Sequence, residues 1–295
     1  MQAVKFFFVT YRPLLMIIYL AALGSICICA SMFYLKMIPN LLAILTFTSF
    51  VFFIYIINRF TDLREDFTND IKQVVFFTNH KVFFKVGVAV AVLAGAGLAF
   101  VNKLNSFHFI LISVGILYSY RLIPWYKKNQ GFIWFRLKEF PLVKNLCVSL
   151  LWGLSIFLIP ILFSEIPVNN TFLLTVMIIS VFLSTFTNTL FSDIMDVAGD
   201  KISKANTLPS LWGVRISYKV LLSMGCIWLV SILGMFTMGL LDIYHLLFFL
   251  IVLFYPLAYI ISYKRNWLNH TAIGILIEMD LLIIASGMVL LSLVK

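Results

Sequence analysis

The stretch YIINRFTDLREDF, residues 55–67, places acidic side chains at the end of a long apolar run. Asn58, Asp62 and Asp66 follow one another at intervals of four residues. On a helix, each such step rotates the side chain by only about 40°, so the three side chains share one face. The stretch therefore predicts a row of oxygen ligands at the mouth of an apolar helix.

The chain around this stretch is too apolar for a water-soluble domain. It has 295 residues, of which 62% are hydrophobic and 12% charged, and its mean hydropathy is +1.05. A membrane-spanning helix needs roughly 20 apolar residues. Nine apolar runs of about this length are present, the fourth being the shortest: 5–34, 37–57, 82–102, 105–120, 141–163, 171–192, 217–240, 243–263 and 270–294. We expect an all-α, polytopic membrane protein with nine transmembrane helices, forming a single domain over residues 1–295.

The net charge of +10 does not indicate a nucleic-acid-binding protein, because the basic residues follow membrane topology. Of the 22 Lys and Arg residues, 19 lie near the start of the first run, or in and beside the loops that join even-numbered runs to the next odd-numbered run. The positive-inside rule then places the N-terminus and these loops in the cytoplasm. The first run is longer than the apolar core of a signal peptide, so we interpret it as a retained helix.

A second acidic stretch, FSDIMDVAGDK at residues 191–201, ends the sixth run as the first stretch ends the second. The interval from Asp62 to Asp196 is 134 residues, and the interval from Asp66 to Asp200 is also 134. This offset predicts two four-helix halves followed by a ninth helix, an internal repeat of the kind that is common in membrane proteins.

Asp193, Asp196 and Asp200 fall within roughly 60° of one another if the helix of the sixth run continues that far. Carboxylates at a helix C-terminus are unfavourably placed in the helix dipole, so positive charge is expected nearby. Oxygen-only ligands favour Mg²⁺, which typically takes one or two carboxylates and completes its shell with water and substrate phosphates. Two such rows predict a diphosphate site; the alternative is a set of solvated loop charges paired with Lys and Arg.

These residues also carry a resemblance to a known family. NRFTDLRED (58–66) resembles the first aspartate-rich motif of the UbiA family of intramembrane prenyltransferases, and SDIMDVAGDKISKANTLPSLWG (192–213) resembles the second. The resemblance covers the whole chain, including the basic loop between the fourth and fifth runs. The chain departs from the family at Arg59, at Ala198 and in the segment TNDIKQVVFFTNHK (68–81).

The resemblance implies an enzyme that binds a polyprenyl diphosphate through Mg²⁺ and transfers the prenyl group to an acceptor. It assigns the prime metal ligands as Asp62, Asp66, Asp196 and Asp200, with Asn58 and Asp193 as supporting ligands or orienting groups. Basic side chains are needed for the phosphate oxygens that the metal does not hold, and the candidates are Arg136, Lys138, Lys144, Lys72 and Lys204.

The ninth run contains a further pair of acids, Glu278 and Asp280. They lie about 12–15 Å into the span, where an acidic residue is unfavourable by roughly 2.5–3.5 kcal/mol. Because they are two residues apart, they project about 160° from each other. One is expected to hydrogen-bond to a neighbouring helix; the other, with Glu278 preferred, would orient the acceptor or take its proton. The alternative is that both acids are structural.

Three functions are compatible with these patterns. The first is Mg²⁺-dependent transfer of a polyprenyl group to a small lipophilic, aromatic acceptor within the cell membrane. The second uses the same site without an acceptor, as in a membrane terpene cyclase. The third is a transporter, which would not explain the acidic rows, because a transport site belongs near the bilayer midplane.

Overall fold

A computed structural model describes residues 2–63, 67, 71–82, 84–89, 105–127, 131–164, 168–203 and 205–294. Its long elements are α1 (Gln2–Tyr34), α2 (Leu41–Thr61), α3 (Ile71–Asn79), α4 (Asn105–Ser119), β1 (Ile123–Lys127), β2 (Gly131–Phe135), α5 (Val143–Phe163), α6 (Thr171–Met195), α7 (Val197–Ser203), α8 (Leu208–Trp212), α9 (Val214–Thr237), α10 (Ile243–Lys264) and α11 (His270–Val294). A 3₁₀ turn (Leu137–Glu139) follows β2.

The predicted helical membrane architecture is confirmed. In the described part, seven helices are long and apolar enough to cross a membrane: α1, α2, α5, α6, α9, α10 and α11. The fourth predicted span corresponds to α4, whose apolar part, Ile110–Ser119, is shorter. The third predicted span, 82–102, lies mostly outside the described residues, so the count of nine is not confirmed.

The chain divides into two compact units. Unit 1 comprises Met1–Ser25, Leu41–Lys144 and Gly199–Asn206, and unit 2 comprises Ile26–Asn40, Asn145–Ala198 and Thr207–Lys295. The tail of the second acidic motif therefore belongs to the same unit as the first motif and the basic segment around residue 136.

The core of unit 1 is rich in phenylalanine. Phe77 and Phe84 are fully buried, with ring centroids 4.7 Å apart, and Phe60 of α2 packs edge-on against both. Ile56, one helical turn before Phe60, is buried in the same cluster. This apolar packing fixes the last turns of α2, from which the first acidic motif projects.

A β-hairpin interrupts the helices of unit 1 and was not predicted. β1 and β2 are antiparallel, with Pro124 opposite Trp134 and Tyr126 opposite Phe132. The sequence signal was present: IPWYK and GFIWF are short aromatic and β-branched runs separated by the polar residues KNQ, a composition typical of hairpin loops. Gly131 adopts a φ of 73°, a conformation that other residues rarely take, where β2 begins.

Unit 2 is built around α6, which packs with α9, α10 and α11. The close approach of α5 to α6 requires a glycine at position 153, because a Cβ there would lie 3.1 Å from the carbonyl oxygen of Ile178.

Polar side chains join three helices in the interior of unit 2. Asp280 of α11 accepts hydrogen bonds from Ser184 and Asn188 of α6, and Asn188 in turn accepts one from Tyr259 of α10. A buried polar group needs such partners in a medium without water.

The expected single row of Asp193, Asp196 and Asp200 is interrupted. α6 ends at Met195, Asp196 is its C-cap with φ −94° and ψ 6°, and α7 begins at Val197. Asp193 therefore lies in α6, Asp196 at its C-cap and Asp200 in α7, so the three do not share one helical face.

Candidate active site

Asp62 is the residue that follows the last turn of α2. Its backbone N–H donates to the carbonyl of Asn58, 2.9 Å away, and its carboxylate accepts hydrogen bonds from Arg136 Nη1, at 3.0 Å, and from Lys138 Nζ. Arg136 Nη1 also donates to the carbonyl of Thr61 at 3.0 Å. Carbonyls at a helix C-terminus lack intrahelical donors, so a guanidinium here stabilises both the helix end and the carboxylate.

Arg136 and Lys138 are buried, with only 7% and 8% of their surface exposed. Both belong to the short extended and 3₁₀ segment after β2. Desolvated cations need compensating groups. Asp62 supplies one for each, and Lys138 Nζ also lies 5.5 Å from the ring centroid of buried Tyr118, within cation–π range.

Glu139 completes this cluster and was missed from the sequence. Its carboxylate accepts from the backbone N–H of Arg136 at 3.1 Å, from Arg136 Nε at 2.9 Å and from Arg121 Nη2 at 3.0 Å. Partial burial acts to raise the pKa of Glu139, but the hydrogen bonds from Arg136 and Arg121 outweigh it and lower the pKa below its ordinary value. The available signal was the RLKE spacing, which puts Glu139 three residues after Arg136.

Asp200 belongs to the same unit as this cluster. It lies in α7, is 7% exposed, and its backbone carbonyl accepts from the N–H of Ala205 at 2.8 Å. The segment that carries Asp200 is linked to the 3₁₀ turn by Asn206, whose Nδ2 donates to the carbonyl of Glu139 at 3.1 Å. Unit 1 thus brings together the first motif, the basic segment and the tail of the second motif.

The other candidates of unit 1 have individual placements. The side chain of Asn58 accepts from Ser119 Oγ at 2.9 Å, which ties α2 to α4. Lys144 is half-buried and is the second residue of α5. Asp66 and Lys204 lie outside the described residues.

Asp193 and Asp196 belong to unit 2. Asp193 is buried, and its Oδ2 accepts from Asn145 Nδ2 of α5 at 2.9 Å, a partner that the sequence did not indicate. Asp196 is about half exposed, and its Oδ1 lies 3.5 Å from His270 Nε2. Asp193 thus has a side-chain donor in Asn145, and Asp196 is the more exposed of the two carboxylates.

The two acids of α11 have different surroundings. Asp280 is fully buried in the polar contacts with Ser184 and Asn188 described above, whereas Glu278 is half-buried. The expected hydrogen bond to a neighbouring helix is therefore made by Asp280.

The donor chemistry fits Mg²⁺, although within the described ranges no three acidic, His or Cys residues form a ready-made metal cluster. Mg²⁺ commonly takes one or two carboxylates and finishes its shell with water and substrate phosphate oxygens. Asp62, Asp196 and Asp200 offer only oxygen donors, and Asp66 lies outside the described residues.

Comparison with known proteins identifies the class to which this fold and these motifs belong. Residues 79–274 match the UbiA prenyltransferase family. The chain belongs to this family.

Individual relatives agree with this assignment. The chain is 35% identical over 85 residues to a digeranylgeranylglyceryl phosphate synthase of Thermococcus sibiricus, a stretch that spans 29% of each protein. It is also similar in structure to a UbiA homologue from Archaeoglobus fulgidus bound to GPP and Mg²⁺, with a TM-score of 0.65, 15% identity, and coverage of 96% of this chain and 98% of that one. The same homologue bound to DMAPP and Mg²⁺ gives a TM-score of 0.65 at 16% identity, over 97% and 99% of the two chains.

Proposed function

We propose that this protein transfers a polyprenyl group from a prenyl diphosphate to a small lipophilic acceptor, in a Mg²⁺-dependent reaction within the membrane. The observation that supports the proposal is the cluster in unit 1, where two buried cations, Arg136 and Lys138, converge on Asp62. Family membership adds the expected chemistry, and the similar Archaeoglobus homologue is bound to GPP and Mg²⁺.

The cluster suits a diphosphate because its charges are already desolvated and oriented. Arg136 presents a planar set of donors, and Lys138 a compact point charge, and both types of side chain bind phosphate oxygens. In a site of low dielectric, such fixed donors stabilise the charge that develops on a leaving diphosphate. We assign Arg136 and Lys138 to this role, with Lys144 and Lys204 as additional candidates and Asn58 as a supporting group.

Mg²⁺, when bound, would offset the negative charge of the diphosphate, and its proposed ligands are Asp62, Asp66, Asp193, Asp196 and Asp200. In the reaction, the bond between the prenyl carbon and the diphosphate oxygen breaks, and its electron pair leaves with the diphosphate. A nucleophilic atom of the acceptor forms the new bond and releases a proton. Glu278 is our candidate to orient the acceptor or accept that proton.

The acceptor defines two versions of the proposal. The resemblance to the family favours a lipophilic aromatic acceptor, whereas the similarity to the Thermococcus digeranylgeranylglyceryl phosphate synthase favours a glyceryl phosphate acceptor. A terpene cyclase is the second candidate function, because the segment after the first motif departs from the family pattern. It would use the same diphosphate site without an acceptor.

The test is a titration of a non-hydrolysable prenyl diphosphate analogue with and without Mg²⁺. Asp66→Asn and Asp200→Asn keep the side-chain shape but remove one charge, so each should weaken Mg²⁺-dependent binding. Asp242→Asn is the matched control: Asp242 caps α10 by accepting from the N–H of His245 at 2.8 Å and also contacts its ring Nδ1 at 2.8 Å, and the Asn side-chain oxygen can keep both contacts. Equal affinity in every variant and with or without Mg²⁺ would overturn the proposal.

A second assay separates the functions. Purified protein is incubated with Mg²⁺ and C10, C15 or C20 prenyl diphosphates, with and without aromatic or glyceryl phosphate acceptors. Diphosphate release that needs an acceptor supports transfer, and the acceptor that works identifies the version. Release without an acceptor, with a hydrocarbon product, supports the cyclase, and no release under any condition contradicts both.

A further inference from the structure

The β-hairpin of unit 1 has one face whose aromatic side chains are more than half exposed. Pro124, Tyr126, Phe132 and Trp134 alternate along the two strands and are paired across them, so they share this face. Tyr126, Phe132 and Trp134 are 67%, 74% and 55% exposed, and the rings of Tyr126 and Phe132 meet edge to face at 5.6 Å. We call these four residues the outer face.

The opposite face of the hairpin is anchored to the rest of unit 1. Trp125, itself 52% exposed, and half-buried Phe135 both contact Phe140, with ring centroids 5.5 Å and 5.7 Å away. These contacts attach this face to the segment after β2, and the outer face is the more exposed of the two. A contiguous exposed patch of this kind marks an interaction surface.

The place of the hairpin in the chain points to a lipid surface. Only three residues, 120–122, separate the end of apolar α4 from β1, and they can extend about 11 Å at most. The span α5 begins at Val143, shortly after the 3₁₀ turn. A segment tied closely to apolar helices at both ends must lie near the membrane boundary.

The chemistry of the hairpin agrees with this location. Trp and Tyr combine an apolar ring with a polar group, and they concentrate where hydrocarbon meets headgroups. Basic residues flank the aromatic ones: Arg121 precedes β1, its side chain largely exposed, Lys127 is the last residue of β1, and Lys128 follows it in the sequence. Such residues are attracted to anionic headgroups.

We propose that the outer face of the hairpin lies in the headgroup–acyl boundary of a bilayer that contains anionic lipid. It thereby anchors the segment that carries Arg136 and Lys138 at the membrane surface. This anchoring does not depend on the reaction proposed above, since it follows from the hairpin alone.

The test measures the surroundings of single nitroxide labels in bilayers containing anionic lipid. Cysteines are introduced at Phe132 or Trp134 on the outer face, or at Ile133 on the opposite face as the matched control. Cys29, Cys147 and Cys226 are replaced by Ser, and fully buried Cys27 is left in place. Collision of each label with oxygen, which concentrates in lipid, is compared with collision with a water-soluble nickel chelate.

Labels at both Phe132 and Trp134 should collide several-fold more with oxygen than with the nickel chelate, and the label at Ile133 should be less accessible to oxygen than either. A preference for the nickel chelate at the two outer positions would place the face in water and overturn the proposal. Protection from both reagents would mean that protein, such as a second copy of the chain, covers it, and would overturn the proposal as well. The use of two outer positions keeps the test decisive if one variant fails to fold.

Discussion

Arg136 connects two carboxylates that are far apart in the sequence. Its Nη1 donates to Asp62 and its Nε to Glu139, so the guanidinium is fixed from both sides. Glu139 has no role in the family motifs quoted above. We therefore expect Glu139 to act as a positioning residue, through the orientation of Arg136.

Replacing Glu139 with Gln should weaken binding of the prenyl diphosphate analogue by about fivefold, equivalent to roughly 1 kcal/mol for one weakened charged hydrogen bond. The Kd should rise and kcat/KM should fall by at least this factor, because Arg136 is also assigned to stabilise the charge on the leaving diphosphate. Arg121→Gln is the control, because Arg121 pairs with the same Glu139 from an exposed position; we expect its Kd to stay close to that of the wild type. Wild-type affinity in the Glu139 variant would contradict the positioning role.

The lowered pKa of Glu139 also predicts how stability depends on pH. A carboxylate whose pKa is lower in the folded state stabilises the fold fully above its unfolded pKa, about 4.3 for Glu. That stabilisation is lost as the pH falls through the lower folded-state value. The difference in Tm between wild type and Glu139→Gln should therefore be constant near neutral pH and disappear under strongly acidic conditions. Thermal unfolding in detergent over a pH series measures it, and a difference that grows on acidification would refute the assignment.

At the scale of helices, the polar contacts in the interior of unit 2 hold α6, α10 and α11 together. Ser184 and Asn188 share Asp280 as their acceptor. Removing a buried acceptor leaves its donors unsatisfied, which typically lowers stability by about 1–3 kcal/mol. We therefore regard Asp280 as part of the helix packing.

Asp280→Ala should lower the Tm while preserving activity per folded molecule. Glu278→Gln, two residues earlier on α11, should do the reverse: turnover slows, whereas the Tm and the affinity for the diphosphate analogue are nearly unchanged. Thermal unfolding and steady-state kinetics on the two variants, measured side by side, test both assignments. If Glu278→Gln leaves turnover intact, Glu278 has no part in acceptor chemistry.

Elements that follow from apolar length were predicted well. The expected span 171–192 is found as Thr171–Met195 and 243–263 as Ile243–Lys264, because a run of apolar residues must be helical within a membrane. The partners of the acidic residues were not predicted. Asn145 and Asp193 are 48 residues apart in sequence, and Arg136 and Asp62 are 74 apart. Pairing over such separations depends on tertiary packing, which no local pattern encodes.

At the scale of the whole molecule, the two contact units do not coincide with two successive halves of the chain. Gly199–Asn206 joins unit 1, although it follows the sixth predicted span. The repeat offset of 134 residues predicted equivalent motifs but could not show that the tail of the second belongs with the first. That association depends on contacts such as the one between Asn206 and Glu139.

The distribution of basic residues predicts the orientation of the chain. A cysteine at Lys201, which is exposed in α7, should be labelled by a membrane-impermeant thiol reagent only from the cytoplasmic side. A cysteine at Met238, 75% exposed between α9 and α10, should be labelled only from the outside. The native exposed Cys226 is first replaced by Ser. Reversal of the two labelling patterns would show that the chain has the opposite orientation. Labelling of both positions from the same side would contradict the prediction that they lie on opposite sides of the membrane.

The ion pairs of Asp62 have a consequence for the stability of the protein without bound metal. Carboxylates gathered to hold a metal would repel one another once a chelator removed it, but Asp62 already has Arg136 and Lys138 as counter-ions. Treatment with EDTA should therefore abolish turnover while leaving the Tm almost unchanged, and activity should return on adding Mg²⁺ without refolding. A large fall in Tm on chelation would show instead that the metal is structural. If the Tm is instead unchanged, protein made without magnesium should stay folded and become active once Mg²⁺ is added.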